Sequence, residues 1–226
     1  MLLLTVTRNP KDRKFLKDML APILKERIID DRHLNLESDP LRIYHSSIGD
    51  EELRTGKKSS RRHSIGREEA IRDPETRATF IERLQYLRDI SSAVLDNLDH
   101  QLPKMPYGIR YVARQSYEAL CERFPNESPD AVLQVVVHFV YQRYLKPAIV
   151  GPDTFGIVAK TLDEKQKKNL GELSKLLNQL SLGKQFSHDN IYLLPLNEYV
   201  AVNIRRMHEI FVDGMYPYNS SSCHSS

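Results

Sequence analysis

Apolar residues return every three or four positions along most of the chain, the period that keeps side chains on one face of an α-helix. Phe15, Leu16, Met19, Leu20, Ile23 and Leu24 form the first such face. It is entered through Asn9-Pro10 and interrupted by Pro22, which predicts a kink or break. Phe80, Leu84, Leu87, Val94 and Leu98 form a longer stripe behind the start signal Asp73-Pro74-Glu75, ending near Asp99-His100. Ile109, Val112, Ala113, Leu120 and Phe124 follow, stopped by Pro125. Ser128-Pro129-Asp130 opens the next helix with a side-chain cap, a proline at the first helical position and an acid facing the dipole. On it Val132, Val136, Phe139 and Arg143 share a stripe; Val135-Val136-Val137 is compatible with a strand, but the cap and the length favour helix. Thr161-Leu162-Asp163-Glu164 reads as a capping box before a face of Leu170, Leu173, Leu177 and Leu180, with Lys168 and Lys175 on the opposite side. A last helix carries Leu196, Tyr199, Val200, Met207 and Phe211 and ends at Gly214. No two-residue alternation and no internal repeat appears, so the expected fold class is all-α.

The polar stretches divide the chain. Residues 30–41 read as a loop or short helix, anchored by Ile43-Tyr44. Residues 49–72 read as a basic, flexible insertion, because residues 54–64 combine like charge with no apolar periodicity. Arg61-Arg62-His63-Ser64 fits the Arg-Arg-x-Ser pattern of basophilic kinases, which makes Ser64 a phosphorylation candidate; the alternative is a plain solvated loop. The Ser-rich end is expected to be disordered, and its final Cys223-His224-Ser225-Ser226 is too polar for a prenylation signal. The expected units are residues 1–48 and 73–214 as helical parts of one domain, the insertion 49–72, and the tail 215–226.

Composition narrows the class. Hydrophobic residues at 40% and charged ones at 28% are ordinary for a globular chain of 226 residues. A net charge of +3 is too small to imply nucleic acid, and no aromatic residue interleaves the basic run. Cys121 and Cys223 give no disulfide framework, and Cys121 in an amphipathic segment reads as a buried thiol, which points to a reducing, intracellular setting. No run approaches the roughly 20 apolar residues of a membrane span, and residues 1–4 are too short for a signal sequence. There is no phosphate loop, no Gly-x-Gly-x-x-Gly, no nucleophile elbow and no His/Cys cluster at metal spacing. His138 reads as a surface or core-edge residue rather than a base. A helical module that presents polar groups to another protein fits better than an enzyme with its own pocket. Arg143 is then the residue to explain, because a cation on an apolar stripe is costly unless something satisfies it.

The residues around Arg143 are specific. Tyr141-Gln142-Arg143-Tyr144-Leu145-Lys146-Pro147-Ala148-Ile149-Val150-Gly151-Pro152-Asp153 resembles the signature helix of Ras GTPase-activating (RasGAP) domains, Phe-Leu-Arg-x-x-x-Pro-Ala-Ile. It is more similar still to the IQGAP-related branch, with a Tyr-Arg-Tyr core and Asn-Pro-Ala-Ile-Val-x-Pro-Asp. Leu20-Ala21-Pro22, Asp39-Pro40 with Ile43-Tyr44, Met105-Pro106-Tyr107-Gly108-Ile109-Arg110, Lys168-Asn169-Leu170-Gly171 and Asn197-Glu198-Tyr199 resemble family landmarks in family order.

The resemblance implies an irregular, all-helical RasGAP-like domain whose shallow groove docks the switch regions of a GTP-bound Ras- or Rho-type GTPase. In register with Leu20-Ala21-Pro22 the loop bearing the arginine finger falls upstream of Met1, so the domain is truncated on its N-terminal side and Arg8 is not the finger. By position, Arg143 is the supporting residue, buried and bonded to backbone carbonyls, that steadies the finger loop. Pro147 and Ala148 line the groove, and Lys175 meets an acid of the GTPase switch. Lys146, which replaces the family's Asn, and Lys168 are further GTPase-facing cations, and Gln142 replaces the Leu of the Ras-type pattern. No cofactor of the chain's own is implied, since GTP and Mg belong to the partner. The expected place is the cytoplasm, with the cell cortex as the setting if the parent protein reaches actin-cytoskeleton proteins. Two activities stay open: promotion of GTP hydrolysis when the finger loop is present, or a non-catalytic scaffold in actin organisation or cytokinesis. A helical interaction domain that no longer binds GTPases is the third reading.

Overall fold

A computed structural model of the chain describes residues 10–216, and every regular element among them is a helix. They are α1 (Pro10–Leu24), α2 (Pro40–Thr55), the short α3 (Arg67–Ala70), α4 (Pro74–Gln101), α5 (Tyr107–Arg123), α6 (Pro129–Val140), α7 (Lys146–Val150), α8 (Glu164–Leu182) and α9 (Asn197–Met215). Single π turns extend α1 (Lys25–Ile29) and join α6 to α7 (Tyr141–Leu145). The expected cap at Asn9, Arg8 and the tail 217–226 lie outside the described residues.

The starts follow local chemistry. Asp39, Asp73 and Ser128 each precede a proline, and their side chains accept from the backbone N–H of Leu41 (3.0 Å), Thr76 (2.9 Å) and Ala131 (3.2 Å). The capping box of α8 lies two residues later than its sequence position suggests. Asp163 accepts from the Gln166 N–H at 2.8 Å, and the Gln166 side chain accepts from the Asp163 N–H at 3.0 Å. Thr161 is left exposed.

The main core is built around α8, with Leu170, Leu173, Leu176, Leu177 and Leu180 all buried, and a small second cluster joins Tyr44 and Ile48 of α2 to Ala70 of α3. The irregular segment 30–39 is held by side chains of this same helix. Gln166 donates to the Ile29 carbonyl at 2.8 Å, and Asn169 accepts from the Leu36 N–H at 2.8 Å and donates to the Leu34 carbonyl at 3.0 Å. Lys165 adds a bond to the Arg32 carbonyl at 2.8 Å. A buried backbone without ladder partners must find others, and these amides supply them.

The expected flexible insertion is not separate. Residues 49–55 are the end of α2, and Gly56, at φ 65°, closes that helix in the left-handed conformation that glycine adopts without strain. The basic loop after it is tied to carboxylates that arrive from elsewhere. Arg61 lies 3.2 Å from Glu51, 3.4 Å from Glu75 and 3.9 Å from Asp73. Arg62 pairs with Glu69, and Arg67 grips Asp39 with both ends of its guanidinium at 2.8–3.0 Å. The Tyr44 hydroxyl donates to the Arg62 carbonyl at 3.1 Å. Like charge predicts disorder only where no opposite charge comes near, and here it does. Ser64 remains exposed on this loop, and Cys121, expected buried, is only half-buried on α5.

Candidate functional site

The signature residues occupy the π turn and α7, and that turn overturns one expectation. Side chains buried along this stretch come in pairs four residues apart: Val132/Leu133, Val136/Val137, Val140/Tyr141, Tyr144/Leu145 and Ala148/Ile149. In an α-helix of 3.6 residues per turn, each four-residue step leads the axis by about 40°, so four steps would carry the stripe about 160° around. The one extra residue of the π turn takes back about 100° and keeps the pairs on the core. Pro147 favours the change, because it has no N–H to offer the Arg143 carbonyl. An unbroken helix would have buried Arg143 beneath Phe139. Instead Tyr144 takes the buried place, stacked on Phe15 at 6.5 Å, and Arg143 turns outward with Phe139. The predicted burial of Arg143 and its backbone bonds are therefore corrected: it is exposed and, among the described residues, makes no hydrogen bond or ion pair.

Ala148 is corrected too. It is fully buried and cannot line a surface, so its small side chain serves the packing of α7 against α8. Pro147 and Lys146 are half-buried at the rim, while Lys168 and Lys175 emerge on the exposed side of α8.

Between the signature helix and α8 runs a polar seam. Gln134 donates to the Leu182 carbonyl, His138 Nδ1 lies 3.0 Å from Ser181 Oγ, and Gln142 donates to Asn178 Oδ1. Beneath them the Tyr141 hydroxyl donates to the Ser174 carbonyl at 3.0 Å. Lys146 extends the series with a bond from Nζ to Gln142 Oε1 at 3.1 Å. The rungs run antiparallel, so the Lys146 end of one helix meets the Lys175 end of the other. Burial, and then the Lys146 charge, pull the His138 pKa down, which favours a neutral ring at pH 7. The seam thus offers a polar, positively charged edge without a titrating base.

Lys175 is the most elaborated of these cations. Its Nζ lies 2.5 Å from Glu172 Oε1, one turn earlier on α8. Burial pushes the Glu172 carboxyl above its usual range despite the ammonium. For Lys175 burial acts downward, but the bond and the charge of Glu172 outweigh it and the net shift is upward. Sequence reasoning missed Glu172. The signal was present, an acid three residues before a lysine on the flank of α8 between the leucine face and the lysines.

Among the described residues no group of His, Cys, Asp and Glu is arranged to hold a metal ion. A concavity of about 620 Å³ opens between α4 and α9 beside Phe80, Ile81, Leu84 and Tyr199, and no predicted site residue lines it. No helix of the described residues is long and apolar enough to cross a membrane.

Comparison with known proteins bears on what binds there. A family model described as GTPase-activator protein for Ras-like GTPase matches residues 2–182. The chain is 30% identical over 214 residues to the human Ras GTPase-activating-like protein IQGAP2, an alignment that covers 93% of this chain and 14% of that protein. It is 31% identical over 200 residues to the Ras GTPase-activating-like protein rgaA of Dictyostelium discoideum (88% of this chain, 24% of that protein). With the Ras GTPase-activating-like protein IQG1 of Candida albicans the identity is 32% over 200 residues (84% and 12%). The chain therefore spans less than a quarter of the length of these relatives. With a matching model over most of its length and relatives of this type, the chain belongs to the RasGAP family of GTPase activators, alongside the IQGAP-type proteins.

Proposed function

We propose that the chain regulates a small GTPase by docking the switch regions of its GTP-loaded form on the seam between the signature helix and α8. The observation that carries this reading is the set of outward-facing cations there. Lys146, Lys168 and Lys175 stand at the rim or outside, and Arg143 has no partner of its own among the described residues. The family resemblance sets an acid of the GTPase switch opposite Lys175, so charge complementarity would steer the encounter and fix its register. Pro147 stands half-exposed beside Lys146 as a rigid, apolar element of the same surface.

Docking and acceleration of hydrolysis are separate questions. A cation delivered to the transferring phosphate is worth about 10³–10⁵ in rate. In an activator, Arg143, exposed and without a hydrogen bond or ion pair among the described residues, would steady the loop that carries this cation. A Ras-type activator needs that loop. A scaffold that binds Ras- or Rho-type GTPases and leaves their GTP intact does not.

Titration of GTP-loaded and GDP-loaded Ras- and Rho-type GTPases against the chain tests the docking, with preference for the GTP form expected. Equal or absent binding to both forms in both classes sinks it. Single-turnover hydrolysis with the parent protein then separates the readings. In an activator, Arg143→Ala is expected to remove the stimulation with helicity unchanged. In a scaffold, wild type and variant hydrolyse alike.

A further inference from the structure

We propose that Glu172 is a built-in competitor for Lys175, occupying the ammonium that a carboxylate of the docked GTPase would take and so holding down the affinity of the complex. This rests on the docking reading above and names a control of that same site.

Two pairs with the same three-residue spacing on α8 show what is unusual. Lys167 and Glu164 meet at 2.9 Å with side-chain exposures of 51% and 82%, an ordinary solvated pair. Lys175 and Glu172 meet at 2.5 Å with exposures of 44% and 9%. The second acid is buried, and its Oε2 has no hydrogen-bond partner. A carboxylate placed this way is held in its charged form by Lys175 above all. The other charged and titratable groups facing the pair come from three further segments: Glu37 before α2, Arg42 on α2 and Tyr192 before α9. Glu37 and Arg42, joined at 3.0 Å, act on Glu172 in opposite directions. Tyr192, from the turn before α9, faces Lys175 and is itself pushed upward, chiefly by burial.

The consequence for a partner follows from distance. An ammonium has three donors and Glu172 uses one, so an incoming carboxylate can still bond Lys175. That carboxylate also feels Glu172, at roughly twice the separation. Coulomb energy falls inversely with distance, so Glu172 cancels on the order of half of the attraction. Loss of the Glu172 charge should therefore strengthen binding, even though it frees the lysine to move.

The test is a double-mutant cycle on the chain, read by titration with Ras- and Rho-type GTPases carrying a non-hydrolysable GTP analogue. Glu172→Gln keeps shape and removes charge, and Kd is expected to fall about 3- to 10-fold. Lys175→Ala should raise Kd, and, with no ammonium to hold the incoming carboxylate beside it, Glu172→Gln should change little further in that background. An unchanged or raised Kd for Glu172→Gln overturns the competitor role, and so does a tightening that survives in Lys175→Ala. If Lys175→Ala leaves Kd unchanged, the docking contact itself is wrong, a different failure. Nuclear magnetic resonance of the Lys175 ammonium in the free chain is the readout that needs no partner. Its pKa is expected to drop in Glu172→Gln, and an identical titration in both proteins means that the pair does not exist in solution. Glu172→Leu, which suits the apolar surroundings, repeats the binding measurement should the glutamine variant fold poorly.

Discussion

Two basic regions of this molecule treat their charges in opposite ways. In the loop after α2 the arginines are closed upon the protein: Arg61 on three carboxylates, Arg62 on Glu69 and Arg67 on Asp39. Along the seam and the outer side of α8, Lys168 is exposed, Lys146 bonds only to the neutral Gln142, Arg143 bonds to nothing described, and Lys175 meets a single acid, Glu172, with an ammonium that keeps two donors to spare. Side chains of one chemistry thus serve as internal fasteners in one place and as an open surface in the other. The difference lies in the acids nearby. A stretch of Lys and Arg says little about partners until it is known which carboxylates reach it.

The contrast can be broken at either end. The largest expected effect is from Lys175→Glu, which reverses a charge in the open region. Affinity for the GTP-loaded GTPase should fall about 10- to 100-fold, on the scale of about 1–3 kcal/mol for a charge-assisted contact, and the melting temperature should fall as well, because the buried Glu172 loses its ammonium and faces a second carboxylate. Equal affinity measured by titration would mean that the seam is not the docking surface. Asp39→Ala attacks the closed region, where one side chain both caps α2 and holds Arg67. The cap is worth about 1 kcal/mol, and a partner that is half in solvent adds about 1 more. Chemical denaturation should thus show a loss of about 2 kcal/mol, with GTPase affinity unmoved.

A smaller effect of opposite sign is expected at Glu172. Its folded-state pKa is raised, so the folded protein binds this proton more readily than the unfolded chain. Its favourable contribution is full below the unfolded value of about 4.3 and is lost as pH rises through the folded value. At neutral pH, Glu172→Gln should therefore stabilise the chain, by about 1 kcal/mol at most given the compensation from Lys175. The gain should shrink on acidification, and a gain independent of pH would show that ionisation is not its source. The smallest effect concerns Ser64. Because Arg61 and Arg62 are engaged, a basophilic kinase should phosphorylate the native chain slowly, and Glu75→Ala with Glu69→Ala should speed it a few-fold. A rate as fast as that of a free peptide would show that the arginines are not held.

How much of this was legible in the sequence depends on how local the cause is. Asp73 and Ser128 announce their helices because cap, proline and first turn are neighbours in the chain; Asp39-Pro40 carries the same signal, yet residues 30–41 read as a loop or short helix and α2 was missed. The fastening of Arg61 was not legible, since Glu51 and Asp73 become its neighbours only after α2 and α4 fold. Arg143 was misplaced for a subtler reason. Val132, Val136, Phe139 and Arg143 fit an ideal helix, and only the paired four-residue spacing, visible afterwards, shows that one residue too many is present. Lys168 and Lys175 were placed correctly on the outer face because α8 is regular throughout. Glu172 was overlooked because an acid three residues before a lysine looks like an ordinary solvated pair, as Glu164 and Lys167 are, rather than part of a site.

The amide bonds from Gln166 and Asn169 to residues 29–36 carry a consequence for the order of folding. They join positions 133 to 137 residues apart, and the segment they fix makes no helix of its own. Closing so long a loop comes late unless something near the nucleus rewards it. Segment 30–39 is therefore expected to take its shape only after α8 has packed, so that Asn169→Ala hastens unfolding far more than it slows folding. The strap beside the docking surface would then be the last part of the domain to close and the first to open.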